Sequence, residues 1–191
     1  MKMNRLILVA FVGLTLILSC GKKKKDLIVI DINFADTTTL STAIPALPVS
    51  LDFSSTPMQL DTFATKVDEY IGPFGFSKAQ ITNVKLKEVT INLENAPAQT
   101  FNFVKDSAMS LRVFVDSFSG TTPTVVAYKA SVARNIKTLA LDVQSTDIKD
   151  YFRSEYMKFL IAFRTQENEG LDGASRFKVN FTFTVTADPN L

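Results

Sequence analysis

Apolar residues fall on every second position over long stretches of this chain. Ile28, Ile30, Ile32 and Phe34 alternate with Val29, Asp31 and Asn33, and Phe177, Val179, Phe181, Phe183 and Val185 alternate with Lys178, Asn180, Thr182 and Thr184. A period of two sends one set to one face of a β-strand and the other set to the opposite face, so both segments predict strands with one buried face. The second is the clearer, because its intervening residues are all polar. Further strands are predicted near 45–53, 83–94, 109–116, 124–129, 136–143 and 157–165. Within 83–94 the apolar phase changes, from Val84 and Leu86 to Val89, Ile91 and Leu93. A slip of one residue would turn every later side chain to the wrong face, so the pattern predicts a β-bulge near Lys87-Glu88.

Turn chemistry separates these strands at Asn95-Ala96-Pro97, at Gly120-Thr121-Thr122-Pro123 and in the Gly170–Gly173 loop. One helix is predicted over 61–71: Asp61 serves as its cap, Phe63, Val67 and Tyr70 or Ile71 share a face, and Gly72-Pro73 stops it. A second helical turn is predicted from Asp147 to Phe152. From Asp26 onward about 165 residues remain, enough for one domain with a sizeable core. Short strands at this spacing predict a mainly β fold, an antiparallel sandwich of about 7–8 strands with one short helix, over residues 27–191. The helical pieces are expected to cover an end or edge of the sheets.

The N-terminus breaks the alternation. Lys2 and Arg5 precede a continuous apolar run from Leu6 to Leu18, too short to span a bilayer comfortably and of the form of a secretory signal peptide. The chain's single cysteine follows at once. Ile17-Leu18-Ser19-Cys20 resembles the lipobox of bacterial lipoproteins, which implies removal of residues 1–19 as a signal peptide and attachment of diacylglyceryl to Cys20. Two or three acyl chains on one residue would hold the protein on a membrane almost permanently, since each buried methylene contributes about 0.8 kcal/mol. Residues 20–26 then form a tether with four lysines, Lys22–Lys25, that serves either as a solvated spacer or as an electrostatic contact to lipid phosphates.

The short Cys-Gly-Lys run and the Phe- and Lys-rich style resemble lipoproteins of Bacteroidetes. The missing acid directly after Cys20 implies the outer membrane, with the periplasmic face favoured over the cell surface. Phe101-Asn102-Phe103-Val104-Lys105 leading into the Met109–Val115 strand resembles the small immunoglobulin-like sandwiches of that group, as does Leu139-Ala140-Leu141-Asp142-Val143 before Asp147-Ile148-Lys149-Asp150-Tyr151. The resemblance lends no activity. Asp36-Thr37-Thr38 and Asp106-Ser107-Ala108 resemble the group's O-glycosylation acceptors, with Thr37 and Ser107 as the modified residues.

Charge separates the tether from the body. The chain has 21 basic and 19 acidic residues, and setting aside Lys2, Arg5 and Lys22–Lys25 leaves 15 basic against 19 acidic. The mildly acidic body argues against nucleic-acid binding. The sequence has no histidine and one cysteine, which removes the commonest general acid–base residue and the usual zinc ligands. Ser175 and Lys178 have the spacing of a serine–lysine nucleophile pair, but residues three apart on a strand face opposite ways. Asp147, Asp150 and Glu155 have the composition of a glycosidase carboxylate pair and equally of a solvated helix end. Glu167, Glu169 and Asp172 offer oxygen ligands of the kind calcium takes, in a loop that reads as well as a soluble turn.

Sixteen Phe, four Tyr and no Trp point to a core filled by rings more than to a sugar platform, although Tyr128, Tyr151 and Tyr156 leave that open. Phe74 and Phe76, in Gly72-Pro73-Phe74-Gly75-Phe76, either plug the end of the sandwich or form an exposed partner anchor. Together these readings predict a membrane-anchored, non-catalytic accessory or structural subunit. It would bind an envelope protein and need no cofactor or metal. The alternative is a small-ligand or lipid-binding β module.

Overall fold

Long antiparallel strands dominate the computed structural model, which describes residues 13–14, 27–39, 43–53, 57–60, 63–65, 67–94, 99–107, 109–116 and 123–191. In chain order the elements are β1 (Gly13–Leu14), β2 (Ile28–Thr39), β3 (Met58–Gln59), β4 (Phe63–Ala64), α1 (Val67–Ile71), β5 (Ile81–Glu94), β6 (Leu111–Asp116) and β7 (Thr124–Lys129). There follow β8 (Thr138–Ala140), β9 (Asp142–Val143), α2 (Lys149–Arg153), β10 (Tyr156–Phe163) and β11 (Arg176–Ala187). Among the described residues, six strands have six residues or more and five segments have two or three. They form two sheets, one in the order β1-β2-β11-β5-β8 and one in the order β3-β10-β6-β7-β9 with β4 also on β10. The fold is a mainly β, antiparallel sandwich.

Alternation explains the core. On β11 the inward residues Phe177, Val179, Phe181, Phe183 and Val185 are buried, while Lys178, Asn180, Thr182 and Thr184 stand on the outer face. Ile30, Ile32 and Phe34 of β2 and the inward residues of β5 continue that layer. The facing layer comes from Val113 and Val115 of β6 and from Phe159 and Ile161 of β10. Phe159 of one sheet lies flat against Phe181 of the other, with ring centroids 4.3 Å apart and planes 25° apart. Phe103 meets Phe163 edge-on at 5.5 Å, as Phe34 meets Phe183. The buried residues of both sheets make one hydrophobic cluster.

The bulge expected near Lys87-Glu88 is present. Thr182 of β11 faces Glu88 and the next residue, Phe183, faces Leu86, so Lys87 is the extra residue that restores the apolar phase. Predicted strand 136–143 is divided: Thr138–Ala140 pairs with β5, whereas Val143 pairs with Ala127 of β7, so this short segment crosses from one sheet to the other.

Two expectations are corrected. The helix predicted over 61–71 spans only Val67–Ile71, and Phe63–Ala64 is extended and paired with Tyr156–Met157 of β10. Thr65 explains the conversion: its backbone N–H donates to Glu155 O at 3.0 Å, and its hydroxyl donates to the same carbonyl at 3.2 Å. Tertiary pairing thus overrides the helical spacing. The proposed cap Asp61 lies outside the described residues. Segment 45–53 is not a strand; Asp52 bridges Arg164 and Phe53 N–H donates to Phe163 O of β10 at 2.9 Å, while Ile44, just ahead of the segment, bridges Leu171. Pro45 and Pro48 carry no backbone N–H for a ladder, which accounts for the interruption.

Candidate functional site

Cys20 and its tether lie outside the described residues. The first long strand begins at Ile28, opposite Ala187 of β11, which in turn lies opposite Ile81 at the start of β5. This end of the sandwich carries α1, the turns that follow it, and α2. Gly72–Phe74 is a single 3-10 turn closed by Gly75 at φ 80, with Gly75 N–H donating to Gly72 O at 2.8 Å. A positive φ here suits glycine and bends the chain back. Phe76 is buried and Phe74 packs against the core from a half-buried position. Both rings therefore contribute to closing the end of the sandwich.

Asp147 organises the other helical turn. Its Oδ1 accepts hydrogen bonds from the backbone N–H of Val84 and of Lys149, each at 3.0 Å, and its Oδ2 faces Lys149 Nζ at 3.4 Å. Burial pushes this carboxyl up, but the two backbone donors and the lysine outweigh it and hold the group below the usual carboxylate range. Asp150 and Glu155 are exposed, and among the described residues no three acidic side chains cluster.

The acidic loop is built around a close approach. A side chain at Gly170 would place its Cβ 2.7 Å from Ile44 O and 2.9 Å from Ala46 N. The two segments are locked there by reciprocal bonds between Ile44 and Leu171, at 2.8 and 2.9 Å. Glu169 faces Arg134 at 3.6 Å, while Glu167 and Asp172 are exposed. Among the described residues no three acidic or thiol side chains gather as a metal site would require. Ser175 is buried and donates to Asp172 O at 2.7 Å, whereas Lys178 stands on the outer face of β11, so this pair is not assembled. Ser107 bonds the hydroxyl of Ser110, and Thr37 lies on β2.

The outer faces of the two sheets differ. On the first, short polar side chains satisfy one another: Thr182 Oγ1 donates to Asn33 Oδ1 at 2.8 Å, Thr184 Oγ1 to Asp31 Oδ1 at 2.8 Å, and Asn180 Nδ2 to Thr90 Oγ1 at 3.2 Å. Burial pushes the Asp31 carboxyl up, while the hydrogen bonds from Lys87 and Thr184 and the Lys87 charge bring it below its usual range. On the second sheet the outward residues of β6 are Arg112, Phe114 and Asp116. Tyr128 lies opposite Arg112, Leu160 lies opposite Phe114, and Lys158 lies opposite Asp116. The Arg112 guanidinium sits over the Phe114 ring, 5.6 Å from its centroid. Lys158 Nζ contacts Asp116 Oδ2 at 2.9 Å. Of this patch the sequence singled out Tyr128 alone, and not its neighbours Arg112, Phe114 and Asp116. Its signal is an aromatic at an outward position: in Leu111–Asp116, Phe114 falls in phase with Arg112 and Asp116 and out of phase with the buried Leu111, Val113 and Val115.

No helix among the described residues is long and apolar enough to cross a membrane. No protein-family model and no curated protein matches this chain. Among solved structures, a chain of Desmodium yellow mottle tymovirus aligns over 91% of this chain and 95% of its own, at 9% identity and a TM-score of 0.29. A score that low carries no argument about function.

Proposed function

We propose that this protein is a bacterial lipoprotein of the outer membrane, anchored through Cys20 with its periplasmic placement favoured, whose β-sandwich acts as a non-catalytic accessory or structural subunit for an envelope protein. The observation that carries the reading is the order of the first twenty residues: a basic start, an apolar run, then Ile17-Leu18-Ser19-Cys20. The described fold supports it by beginning its first long strand at Ile28. Eight residues of extended chain reach at most about 29 Å, so the tether keeps the sandwich close to the bilayer. With residues 1–19 removed, β2 would lose β1 as its neighbour. Within the proposed group the sandwich corresponds to the immunoglobulin-like lipoproteins. The alternative carrier reading needs an empty apolar space between the sheets, and the stacked Phe159 and Phe181 rings weigh against it.

Mass spectrometry of the membrane-extracted protein tests the anchor. A diacylglyceryl-modified Cys20 at the new N-terminus is the expected result, and Cys20→Ala leaves the precursor uncleaved. An unmodified cysteine, or a retained signal peptide, overturns the localisation. Native purification of the lipidated protein from membranes then tests the subunit role by the stoichiometric presence of an envelope protein.

A further inference from the structure

We propose that the outer edge of β2 is a strand-accepting surface, vacated when residues 1–19 are removed and then filled by an extended segment of the envelope partner, apolar at every second residue. The inference rests on the lipoprotein reading and names the surface through which the subunit docks.

The edges of the two sheets are closed in different ways. On the second sheet, β3 and β4 lie against β10, with Leu60 N–H donating to Phe159 O at 3.0 Å and Phe53 N–H to Phe163 O at 2.9 Å. On β7, β9 lies against Ala127 and Tyr128, and Gln144 N–H donates to Val126 O at 2.8 Å. On the first sheet, β8 covers Thr90–Asn92 of β5, while Leu141 N–H donates to Val89 O at 3.0 Å and Ile148 N–H to Val84 O at 2.8 Å. These covers all belong to the body itself. On β2 the cover among the described residues is β1, with Gly13 opposite Asp31 and Leu14 opposite Ile30. It belongs to the apolar run that the proposed processing removes.

An antiparallel strand turns the N–H and C=O of alternate residues to alternate sides, so β2 directs one set at β11 and the other at its outer edge. Such a row is a template for another strand unless it is blunted. The usual blunting devices are missing: Ile28–Thr39 contains no Lys, Arg or Pro, and its register with β11 runs without a shift, whereas the register of β5 with β11 shifts twice. Side chains directly opposite on paired strands share a face. A residue set opposite Ile30, Ile32 or Phe34 therefore extends the buried layer to which these belong, which is why the incoming strand needs its apolar alternation. A second copy of the chain fits less well. Its β2, added antiparallel, would carry its own Cys20 to the far end of the strands, roughly 40 Å away and beyond a tether of about 29 Å. A strand from another envelope protein meets no such constraint.

The probe is a fluorescent peptide with the sequence of Arg176–Ala187, the strand that β2 accepts at its other side. It is titrated into the lipidated protein extracted from membranes and into the unprocessed Cys20→Ala chain. The processed protein should bind it saturably. The unprocessed chain, whose Gly13–Leu14 segment competes from within the same molecule, should bind at least roughly tenfold more weakly. N-methylation of the peptide at one set of alternate residues should abolish binding, and at the other set should leave it intact, because only one set faces β2 when the apolar side is turned inward. A peptide of the same composition without the alternation should not bind. No binding by the processed protein, equal binding by both chains, or equal binding of the two N-methylated forms overturns the inference while the anchor stands. Retention of residues 1–19 in the extracted protein overturns both.

Discussion

Phe181 offers the sharpest check on how the faces of the sandwich are assigned. It is 1% exposed and lies against Phe159 of the opposite sheet with centroids 4.3 Å apart. Its neighbour Thr182 points outward and donates to Asn33 Oδ1 at 2.8 Å. Replacing a core Phe by Ala costs about 3–5 kcal/mol in lost burial and residual cavity. At about 2–4 °C per kcal/mol for a chain of this size, Phe181→Ala should lower the melting temperature by roughly 6–20 °C. Phe181→Asp adds an uncompensated buried charge, and against a total stability of about 5–15 kcal/mol it should leave little folded protein. Thr182→Asp loses one side-chain hydrogen bond and sets a carboxylate opposite Glu88, together about 1–2 kcal/mol. Thermal melts followed by circular dichroism compare the three. Aspartate variants at 181 and 182 that melt within about 2 °C of each other would refute the assignment of Phe181 to the inward face and Thr182 to the outward one, because a difference that small lies under about 1 kcal/mol.

Three further outcomes follow from the geometry. The Asp147 carboxyl is held below its usual range, so its contribution to stability is present above the unfolded value of about 3.9 and is lost as the pH falls through the lower folded value; Asp147→Asn should be less stable than wild type at neutral pH, with the two curves converging in acid, and an unchanging gap would contradict this. Tyr70 Oη is buried without a partner among the described residues, and burial and then Glu69 push the phenol up; Tyr70→Phe should therefore match or exceed wild type, by about 1 kcal/mol. Wild type alone should also lose stability as the pH rises above about 10, and a destabilised Phe variant in chemical denaturation would refute the assignment. Gly170→Ala should cost about 2 kcal/mol or more, since its Cβ would meet backbone atoms of Ile44 and Ala46 rather than a yielding side chain, and a neutral result would show that the two loops separate freely.

The strands were legible where one rule governed them. On β11 and β5 the period of two, and the phase change at Lys87, translate directly into burial and register, because a residue on a paired strand has only two sides to choose between. The helix over 61–71 failed because Phe63, Val67 and Tyr70 satisfy a helical spacing while Thr65 and its neighbours find ladder partners on β10 that only the fold supplies. The outer patch was illegible for a related reason. Phe114 counts as one more apolar residue in a strand-rich sequence until the register of β6 shows it outside with Arg112 and Asp116. Phe74 and Phe76 stayed ambiguous in sequence, since a ring after a glycine turn packs inward or outward according to what lies above it. Here α1 and the core supply the cover.

The direction of the strands decides which surfaces a partner of the anchored protein would meet. With lipid on Cys20, as proposed, the bilayer lies near Ile28, and that end of β2 is level with Ala187 and Ile81. The Gly72–Phe76 turn and α2 belong to the same end, so under that proposal Phe74 and Phe76 would close the side of the sandwich nearest the membrane. The opposite end of the long strands is marked by Thr39, Arg176 and Glu94, which lie side by side. A strand of 12 residues such as β11 spans about 40 Å at roughly 3.3 Å per residue. With that anchor the Glu167–Gly173 loop, just before β11, would be carried far from the bilayer, and the Phe114 face would lie along the flank. A lipid anchor at the other end would leave both of these open to a bulky partner, while Phe74 and Phe76 would be turned toward the membrane, packed against the protein's own core.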